Sequence, residues 1–379
     1  MQNLMSSFQL QTGHTQKNRT VLAPMTNSQS HDDGTLSDAE LHWLALRAEG
    51  GFGMIISAAS HVQPNAKAWA GQMGCFSDTH IDGLSKLAAI GKKNNALTIL
   101  QLFHGGVRSP RDITGEQPTA PSAVTLDFPG FETPRALEDT EIEEIIQNFV
   151  AAAKRAHTAG LSGVEVHGAN GYLFTQFLST QTNLRTDQWG GALENRARLL
   201  IQTVQAIKQA VPADFIVGVR LLPEDSPAQK GFDIDETTQV IEWLVKLNVD
   251  YVHISSPKVG AITWKYPNSQ ETDLHRFKKV IPANIALIAC GGVKVASDVE
   301  FALGEGADLV AIGKTAINTP DWPLRAVEPG FMPKSFPMTE AEAEAAAAGI
   351  APPFMAMLRD YHMVVPAATD EQSASSSAD

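Results

Sequence analysis

Apolar runs of strand length recur along the chain and alternate with stretches that have helical periodicity. The eight runs that fit strands span residues 19–26, 52–60, 96–104, 163–169, 215–221, 249–255, 285–292 and 307–314. Such alternation predicts repeated strand–helix units of the α/β class with parallel strands. Eight units favour a closed (β/α)8 barrel, with an open doubly wound sheet as the alternative.

Two of the predicted helices carry clear end signals. Residues 37–51 begin at Ser37, a typical N-cap, have Glu40 three positions later as in a capping box, and end at a glycine pair. Residues 139–160 begin with acidic residues and end with basic ones before Gly160, the arrangement that the helix dipole favours.

We predict one barrel domain over residues 1–335, with a long insertion directly after the third strand. The insertion, residues 105–137, is rich in proline and glycine, and a loop of that length is typical of a lid or a substrate wall. Residues 336–379 are predicted to add a short helix and a disordered tail, because the final residues are polar and poor in apolar side chains.

Charge and composition exclude several function classes. The formal net charge is −13, which disfavours binding to nucleic acid or anionic membrane. The two cysteines are far apart in the sequence, which excludes a disulfide framework and a four-thiolate metal site. No apolar leader and no apolar stretch of membrane-spanning length occur, so we expect a soluble, cytoplasmic protein.

Polar side chains stand at the ends of several predicted strands. In a parallel barrel the carboxyl ends of the strands converge on one rim, where the loops build the active site. Polar groups inside apolar strands cost free energy unless they have partners, so their convergence indicates a bound ligand. They are Thr26, Ser60, Gln101, His104, His167, Arg220 and Ser255.

The last two strands end in a pattern suited to phosphate. Gly291 and Gly292 follow the seventh strand, and Gly313 and Lys314 follow the eighth. Backbone N–H groups without a neighbouring Cβ, a helix N-terminus and a cation are what a phosphate group requires. A Walker motif is excluded because Asp308 stands where its first glycine belongs, and no strand is followed by a dinucleotide fingerprint.

One segment, GVEVHGANGYLFTQFLSTQTNLRTDQWGGALENRARLL at residues 163–200, resembles the old yellow enzyme family of flavin-dependent ene-reductases. The resemblance extends from about residue 8 to about residue 330. It includes KNRTVLAPMTN at 17–27, LQLFHGG at 100–106 and VGVRL at 217–221. It implies a (β/α)8 barrel with tightly but non-covalently bound FMN and with NAD(P)H as a transient reductant.

The resemblance also implies which residues bind FMN. The isoalloxazine would be covered from the first strand, contacted from the second, hydrogen-bonded from the third and faced by an arginine from the fifth, which favours the reduced, anionic flavin. The phosphate would lie at the seventh and eighth strands. The residues so implied are Ala23, Pro24, Met25, Thr26, Ala59, Gln101, Arg220, Gly291, Gly292, Gly313 and Lys314.

The catalytic and substrate-binding residues implied by the resemblance are His167, Asn170 and Tyr172. The first two would donate to the carbonyl or nitro oxygen of an activated alkene and stabilise the charge that develops there. Hydride would pass from flavin N5 to the β-carbon, and Tyr172, a phenol with an ordinary pKa of about 10, would protonate the α-carbon. Lys314 stands where the family usually has arginine, which keeps the charge but loses the bidentate fork.

Two other functions remain open from the sequence. A metal-dependent barrel hydrolase could use His61, His104, His167 and His253, although carboxylates are lacking at the matching strand ends. A non-catalytic flavin-binding protein would keep the cofactor site without turnover. The preference for NADH or NADPH, the natural substrate and the oligomeric state also stay open, although self-association is common in the family.

Overall fold

The eight predicted strands close into a parallel barrel in a computed structural model, which describes residues 4–125, 130–345 and 348–365. Each strand pairs with its sequence neighbours, and the eighth pairs with the first. The predicted (β/α)8 fold is therefore confirmed. The strands are β1 (Thr20–Leu22), β2 (Met54–His61), β3 (Leu97–Phe103), β4 (Gly163–Gly168), β5 (Ile216–Leu221), β6 (Tyr251–Ser255), β7 (Ala286–Cys290) and β8 (Leu309–Ile312).

A helix follows each strand, and its apolar face packs on the outside of the barrel. This packing forms the larger of two buried apolar clusters. The eight helices are α1 (Asp38–Glu49), α2 (Ile81–Lys93), α3 (Asp139–Thr158), α4 (Leu193–Ala210), α5 (Ile234–Lys246), α6 (Asp273–Lys278), α7 (Ala296–Gly304) and α8 (Lys314–Asn318). No helix in the described part of the chain is both long and apolar enough to cross a membrane.

The start of α1 agrees only in part with its predicted capping. Ser37 is the N-cap, and its hydroxyl accepts a hydrogen bond from the backbone N–H of Glu40. The carboxylate of Glu40 does not complete a capping box, because it instead accepts hydrogen bonds from Asn27 Nδ2 at 2.9 Å and from Ser30 Oγ. Glu40 is fully buried, which raises its pKa, and it fastens the loop after β1 to α1.

The barrel interior is apolar near the amino-terminal ends of the strands, which we call its lower end. The second buried cluster occupies this lower end. A short hairpin of Phe8–Gln9 and Thr15–Gln16 covers this end, and Leu10 joins the cluster. Gly218 of β5 is the register partner of Tyr251 on the adjacent strand β6, and a Cβ at residue 218 would lie 2.0 Å from the tyrosine ring. The large aromatic side chain therefore fills space that only a glycine leaves open.

Short elements lie in the loops and after the barrel. The loops contain the 3-10 turns Pro64–Ala66, Asp78–His80 and Gly106–Arg108, the helices Arg111–Thr114 and Leu173–Leu178, and the paired strands Thr119–Ala120 and Arg135–Ala136. After the barrel come the helices Trp322–Arg325, Glu340–Ala345 and Pro352–Asp360, and the paired strands Met338–Thr339 and Val364–Val365. The insertion at 105–137 is therefore partly structured.

The segment after the barrel contains more structure than the sequence analysis predicts. The predicted short helix is Glu340–Ala345, but Pro352–Asp360 forms a second helix. Phe354 and Leu358 of this helix are buried, and the Phe354 ring lies 5.9 Å from that of Trp43 on α1. The predicted disordered tail, residues 369–379, lies outside the described residues.

We predict that Gly218→Ala destabilises the protein by about 3 kcal/mol, because the added methyl group overpacks the barrel against Tyr251. Chemical denaturation would measure the loss. Gly304→Ala is the matched control, since a Cβ there meets no atom within 4 Å and alanine favours a helix. Equal stability of the two variants would contradict the prediction.

Candidate cofactor and substrate site

The polar side chains at the strand ends meet at the carboxyl-terminal mouth of the barrel. Strand register places His167 beside Arg220, Arg220 beside His253, and Ser255 beside Cys290. Alternate residues of each strand face inward, so these side chains point toward one space. The mouth is therefore polar, whereas the lower interior is apolar.

A buried carboxylate lies beneath this mouth. Glu165 of β4 accepts a hydrogen bond from Gln101 Nε2 at 2.7 Å and contacts His253 Nδ1 at 2.9 Å. Burial by itself raises the pKa of Glu165, but the charges of His253 and Arg220 outweigh this effect and the net shift is downward. The same carboxylate raises the pKa of His253 despite burial, so the two residues form an ion pair.

The sequence analysis missed Glu165, although a signal was present. A glutamate between two valines, at the inward phase of a strand that ends in His167, requires a buried partner. Its partner His253 had been considered only as a metal ligand. What the sequence did not indicate is that these side chains meet across the barrel.

Arg220 is the central cation of the mouth. Its Nη2 donates to Ser255 Oγ at 3.0 Å and lies 3.9 Å from Cys290 Sγ. Its Nε is buried and has no hydrogen-bond partner among the described residues. Burial tends to raise the pKa of Cys290, but His253 and Arg220 lower it overall, so this thiol ionises more readily than an ordinary cysteine.

The predicted phosphate residues lie side by side, because β7 and β8 are paired. Gly291 and Gly292 have φ values of +144° and +65°, which favour glycine. A Cβ at Gly291 would lie 2.3 Å from the backbone oxygen of Ser256, so the loops after β6 and β7 touch here. Thr315 Oγ1 donates to the backbone oxygen of Val293 at 2.7 Å and joins this loop to α8.

The residues predicted from the first strand lie on the neighbouring part of the mouth. Ala23 and Pro24 are buried, and Met25 and Thr26 are partly exposed. A Cβ at Gly313 would contact Met25 Sδ and Ala23 Cβ at 3.7 and 3.8 Å, so this loop adjoins the end of β8, where Lys314 is exposed. Ala59 follows an irregularity in β2 and is buried.

His167 is held as a hydrogen-bond donor. Its Nδ1 accepts the backbone N–H of Ala169 at 3.3 Å, so that nitrogen carries no proton. Burial, with the charges of Arg220 and His253, lowers the pKa of His167 well below the ordinary value, and the ring is neutral. The single ring proton therefore lies on Nε2.

Asn170 has a fixed amide orientation next to His167. Its φ of +60° is left-handed, which asparagine tolerates better than most residues. Ser255 Oγ donates to Asn170 Oδ1 at 3.4 Å, so the amide oxygen is engaged and the NH2 group is the free donor. Asn170 is exposed at the mouth.

Tyr172 packs between aromatic and cationic neighbours. Its ring lies 4.4 Å from that of Phe103 and 5.2 Å from that of His167. The guanidinium of Arg108, from the insertion, lies 5.4 Å from the Tyr172 ring. Burial raises the pKa of Tyr172 above 10.0, and Arg108 only partly offsets this shift, so the phenol is protonated at neutral pH.

The four histidines of the hydrolase hypothesis do not assemble a metal site. No group of three or more His, Cys, Asp or Glu side chains that could hold a metal ion occurs in the described ranges. His61 and His104 are buried, and burial lowers their pKa values to about 4 and about 3. His253 is paired with Glu165, so the geometry gives this hypothesis no support.

The arrangement fits FMN, the cofactor implied by the resemblance. The unpartnered Nε of Arg220 suits an acceptor at the pyrimidine edge of the flavin. Gln101 donates its NH2 group to Glu165, which leaves its oxygen to accept a flavin N–H. The glycine pair at 291–292 and Lys314 would offer backbone N–H groups and a cation to its phosphate.

We predict that N-ethylmaleimide labels Cys290 and not Cys75 in the native, FMN-free protein. Cys290 is partly exposed with a lowered pKa, whereas Cys75 is fully buried with a raised pKa. Mass spectrometry of tryptic peptides would identify the site, and added FMN should protect it. Cys290→Ser is the control, and equal labelling of both cysteines would contradict the prediction.

Comparison with known proteins agrees with this geometry. Residues 4–329 match the NADH:flavin oxidoreductase / NADH oxidase family. The probable NADH-dependent flavin oxidoreductase YqiG of Bacillus subtilis is 35% identical over 86% of this chain and 88% of its own. The NADH:fumarate oxidoreductase of Klebsiella pneumoniae is 36% identical, but the matched region is 36% of that protein.

A solved structure gives the same result. The old yellow enzyme homologue from Zymomonas mobilis superposes with a TM-score of 0.78 at 27% identity, over 88% of this chain and 94% of its own. The family match at residues 4–329 spans all eight strands of the barrel. The chain therefore belongs to the NADH:flavin oxidoreductase / NADH oxidase family and is an FMN-dependent NAD(P)H oxidoreductase of the old yellow enzyme type.

Proposed function

We propose that the protein reduces the activated C=C bond of α,β-unsaturated carbonyl or nitro compounds, with NAD(P)H as the electron source. The observation that carries this proposal is the pair of fixed donors, His167 Nε2–H and the Asn170 NH2 group, beside a protonated Tyr172. An activated alkene needs two donors at its oxygen and one proton source at its α-carbon. The three side chains supply both.

The donor pair is preorganised by contacts outside the substrate. The backbone N–H of Ala169 sets the tautomer of His167, and Ser255 sets the amide of Asn170. Donors that are already oriented stabilise a developing oxyanion without the cost of reorganisation. A neutral His167 also polarises the substrate oxygen without giving up its own proton.

Tyr172 holds the proton that the reaction consumes. The chemistry that bound FMN would supply is hydride transfer from NAD(P)H to the alkene. Addition of hydride at the β-carbon leaves an enolate that His167 and Asn170 stabilise, and Tyr172 protonates its α-carbon. Arg108 lies over the phenol and stabilises the phenolate that remains until solvent reprotonates it.

The same proposal gives the cofactor residues their roles. Tight, non-covalent binding would use the backbone around Ala23–Thr26, contact from Ala59, the oxygen of Gln101, and the guanidinium of Arg220. The phosphate would be held by Gly291, Gly292, Gly313 and Lys314. The insertion at 105–137 would form one wall of the substrate site, because it supplies Arg108.

We predict that Tyr172→Phe slows reoxidation of the reduced enzyme by 2-cyclohexenone by about 10²- to 10⁴-fold, because it removes the proton donor. Reduction by NAD(P)H should keep its rate. In the unaltered protein the enone step should be independent of pH between about pH 7 and 9 and slow at higher pH, since the raised pKa keeps the phenol protonated. Anaerobic stopped-flow absorbance would measure both half-reactions.

Tyr266→Phe is the matched control for this experiment, since Tyr266 is 39% exposed and its hydroxyl donates to Asp235 Oδ2 at 2.6 Å. It should leave both half-reactions unchanged. A Tyr172→Phe protein that reoxidises at the normal rate would overturn the role of Tyr172. Failure of the unaltered protein to reduce any enone or nitroalkene would favour the flavin-binding alternative.

We predict that Lys314→Ala weakens FMN binding by about tenfold or more, since loss of a charged phosphate contact costs about 1.5–3 kcal/mol. Lys314→Arg should bind FMN at least as tightly as the unaltered protein, because a guanidinium can donate two parallel hydrogen bonds. Fluorescence titration of the FMN-free protein would give both dissociation constants. An unchanged constant in Lys314→Ala would remove Lys314 from the phosphate site.

A further inference from the structure

A cavity of about 530 Å³ lies beside the barrel mouth, between the loop after β5 at 222–227 and the loop after β6 at 255–273. We refer to it as the annex. Its volume lies in the range of small-molecule sites. Most of its wall is apolar and includes Leu222, Pro227, Ile262 and Trp264.

The annex adjoins the proposed substrate donors through Ser255. This side chain lines the annex, donates to Asn170 Oδ1 at 3.4 Å and accepts from Arg220 Nη2 at 3.0 Å. A substrate whose oxygen is bound by Asn170 therefore has the annex on its β5–β6 side. A ring or branched chain on the alkene could enter it.

The walls of the annex are fixed by hydrogen bonds between the two loops. Glu224 accepts from the backbone N–H of Trp264 at 2.7 Å and from Thr263 Oγ1. The indole N–H of Trp264 donates to the backbone oxygen of Asp225 at 2.8 Å. The walls of the annex are thus held by contacts within the protein, which lowers the entropic cost of binding.

The charged side chains that line the annex are all carboxylates: Glu224, Asp225 and Asp273. Asp273 is buried, and burial raises its pKa to about 6, so it remains largely charged at neutral pH. Lys230 lies 5.5 Å from the Trp264 ring but does not line the cavity. An anionic group in the annex would be repelled, whereas a neutral apolar group would be accepted.

We propose that the annex is a substrate subsite that accepts a neutral apolar ring or branched substituent of the activated alkene and disfavours an anionic one. This inference rests on the proposed function, since it concerns the same substrate. It implies that this chain disfavours anionic alkenes such as fumarate, which appears in the name of one relative. Ile262 is the residue to change, because it lines the annex and is 40% exposed, so a larger side chain there spares the core.

The test compares three enones on the FMN-loaded protein and on Ile262→Trp. They are 2-cyclohexenone, which is too small to need the annex, neutral benzylideneacetone, and its 4-carboxylate. The unaltered protein should prefer benzylideneacetone to the carboxylate by about tenfold or more in kcat/KM. Ile262→Trp should lower kcat/KM for benzylideneacetone by about tenfold, because the larger side chain would fill the subsite. It should leave kcat/KM for 2-cyclohexenone within about twofold of the value for the unaltered protein.

Binding is measured separately from turnover. Calorimetry with 4-phenyl-2-butanone, the saturated product, should show weaker binding to Ile262→Trp. Leu324→Trp is the control, because Leu324 is also exposed but lines a different cavity. The subsite would be overturned if Ile262→Trp affected both neutral enones equally or neither of them, or if the unaltered protein showed no preference against the carboxylate. Failure of the unaltered protein to reduce 2-cyclohexenone would instead overturn the proposed function itself.

Discussion

The contact between Glu165 and His253 determines the geometry of the barrel mouth. Both side chains are fully buried, and the carboxylate Oε2 lies 2.9 Å from His253 Nδ1. A buried carboxylate without a partner would be very costly, so the histidine is required wherever the glutamate is present. The other oxygen of Glu165 binds Gln101, which fixes an amide that the cofactor would meet. One buried charge therefore organises residues from three strands.

Charge balance at the mouth follows from this pair. Glu165 and His253 compensate each other, so Arg220 is left as the excess cation. Its charge helps lower the pKa of Cys290 and, together with burial, keeps His167 neutral. An excess positive charge at this position suits a cofactor that becomes anionic when reduced. The same cation would thus act on both the flavin and His167, the proposed substrate donor.

Ser255 links the charged centre to the substrate side. Its hydroxyl accepts from Arg220, donates to Asn170 and lines the annex. The loop that follows it is fixed to the neighbouring loop through Glu224 and Trp264. In the proposed function the strand ends would thus supply the chemistry, while the loops after β5 and β6 would shape the space around the alkene. This division is common in barrels, where loops vary without disturbing the core.

The sequence by itself determined the strand–helix order and the barrel, because periodicity of apolar residues is a local signal that each element carries. It also gave the helix start at Ser37, and through a resemblance it led to the proposal that His167, Asn170 and Tyr172 are the catalytic residues. Only the tertiary structure decided that Glu40 binds Asn27 and Ser30 instead of completing a capping box, and that Pro352–Asp360 packs on α1. The partners of Glu165, the cation over Tyr172 and the annex likewise join residues that are distant in the chain. Such contacts depend on strand register and loop packing, which no local pattern specifies.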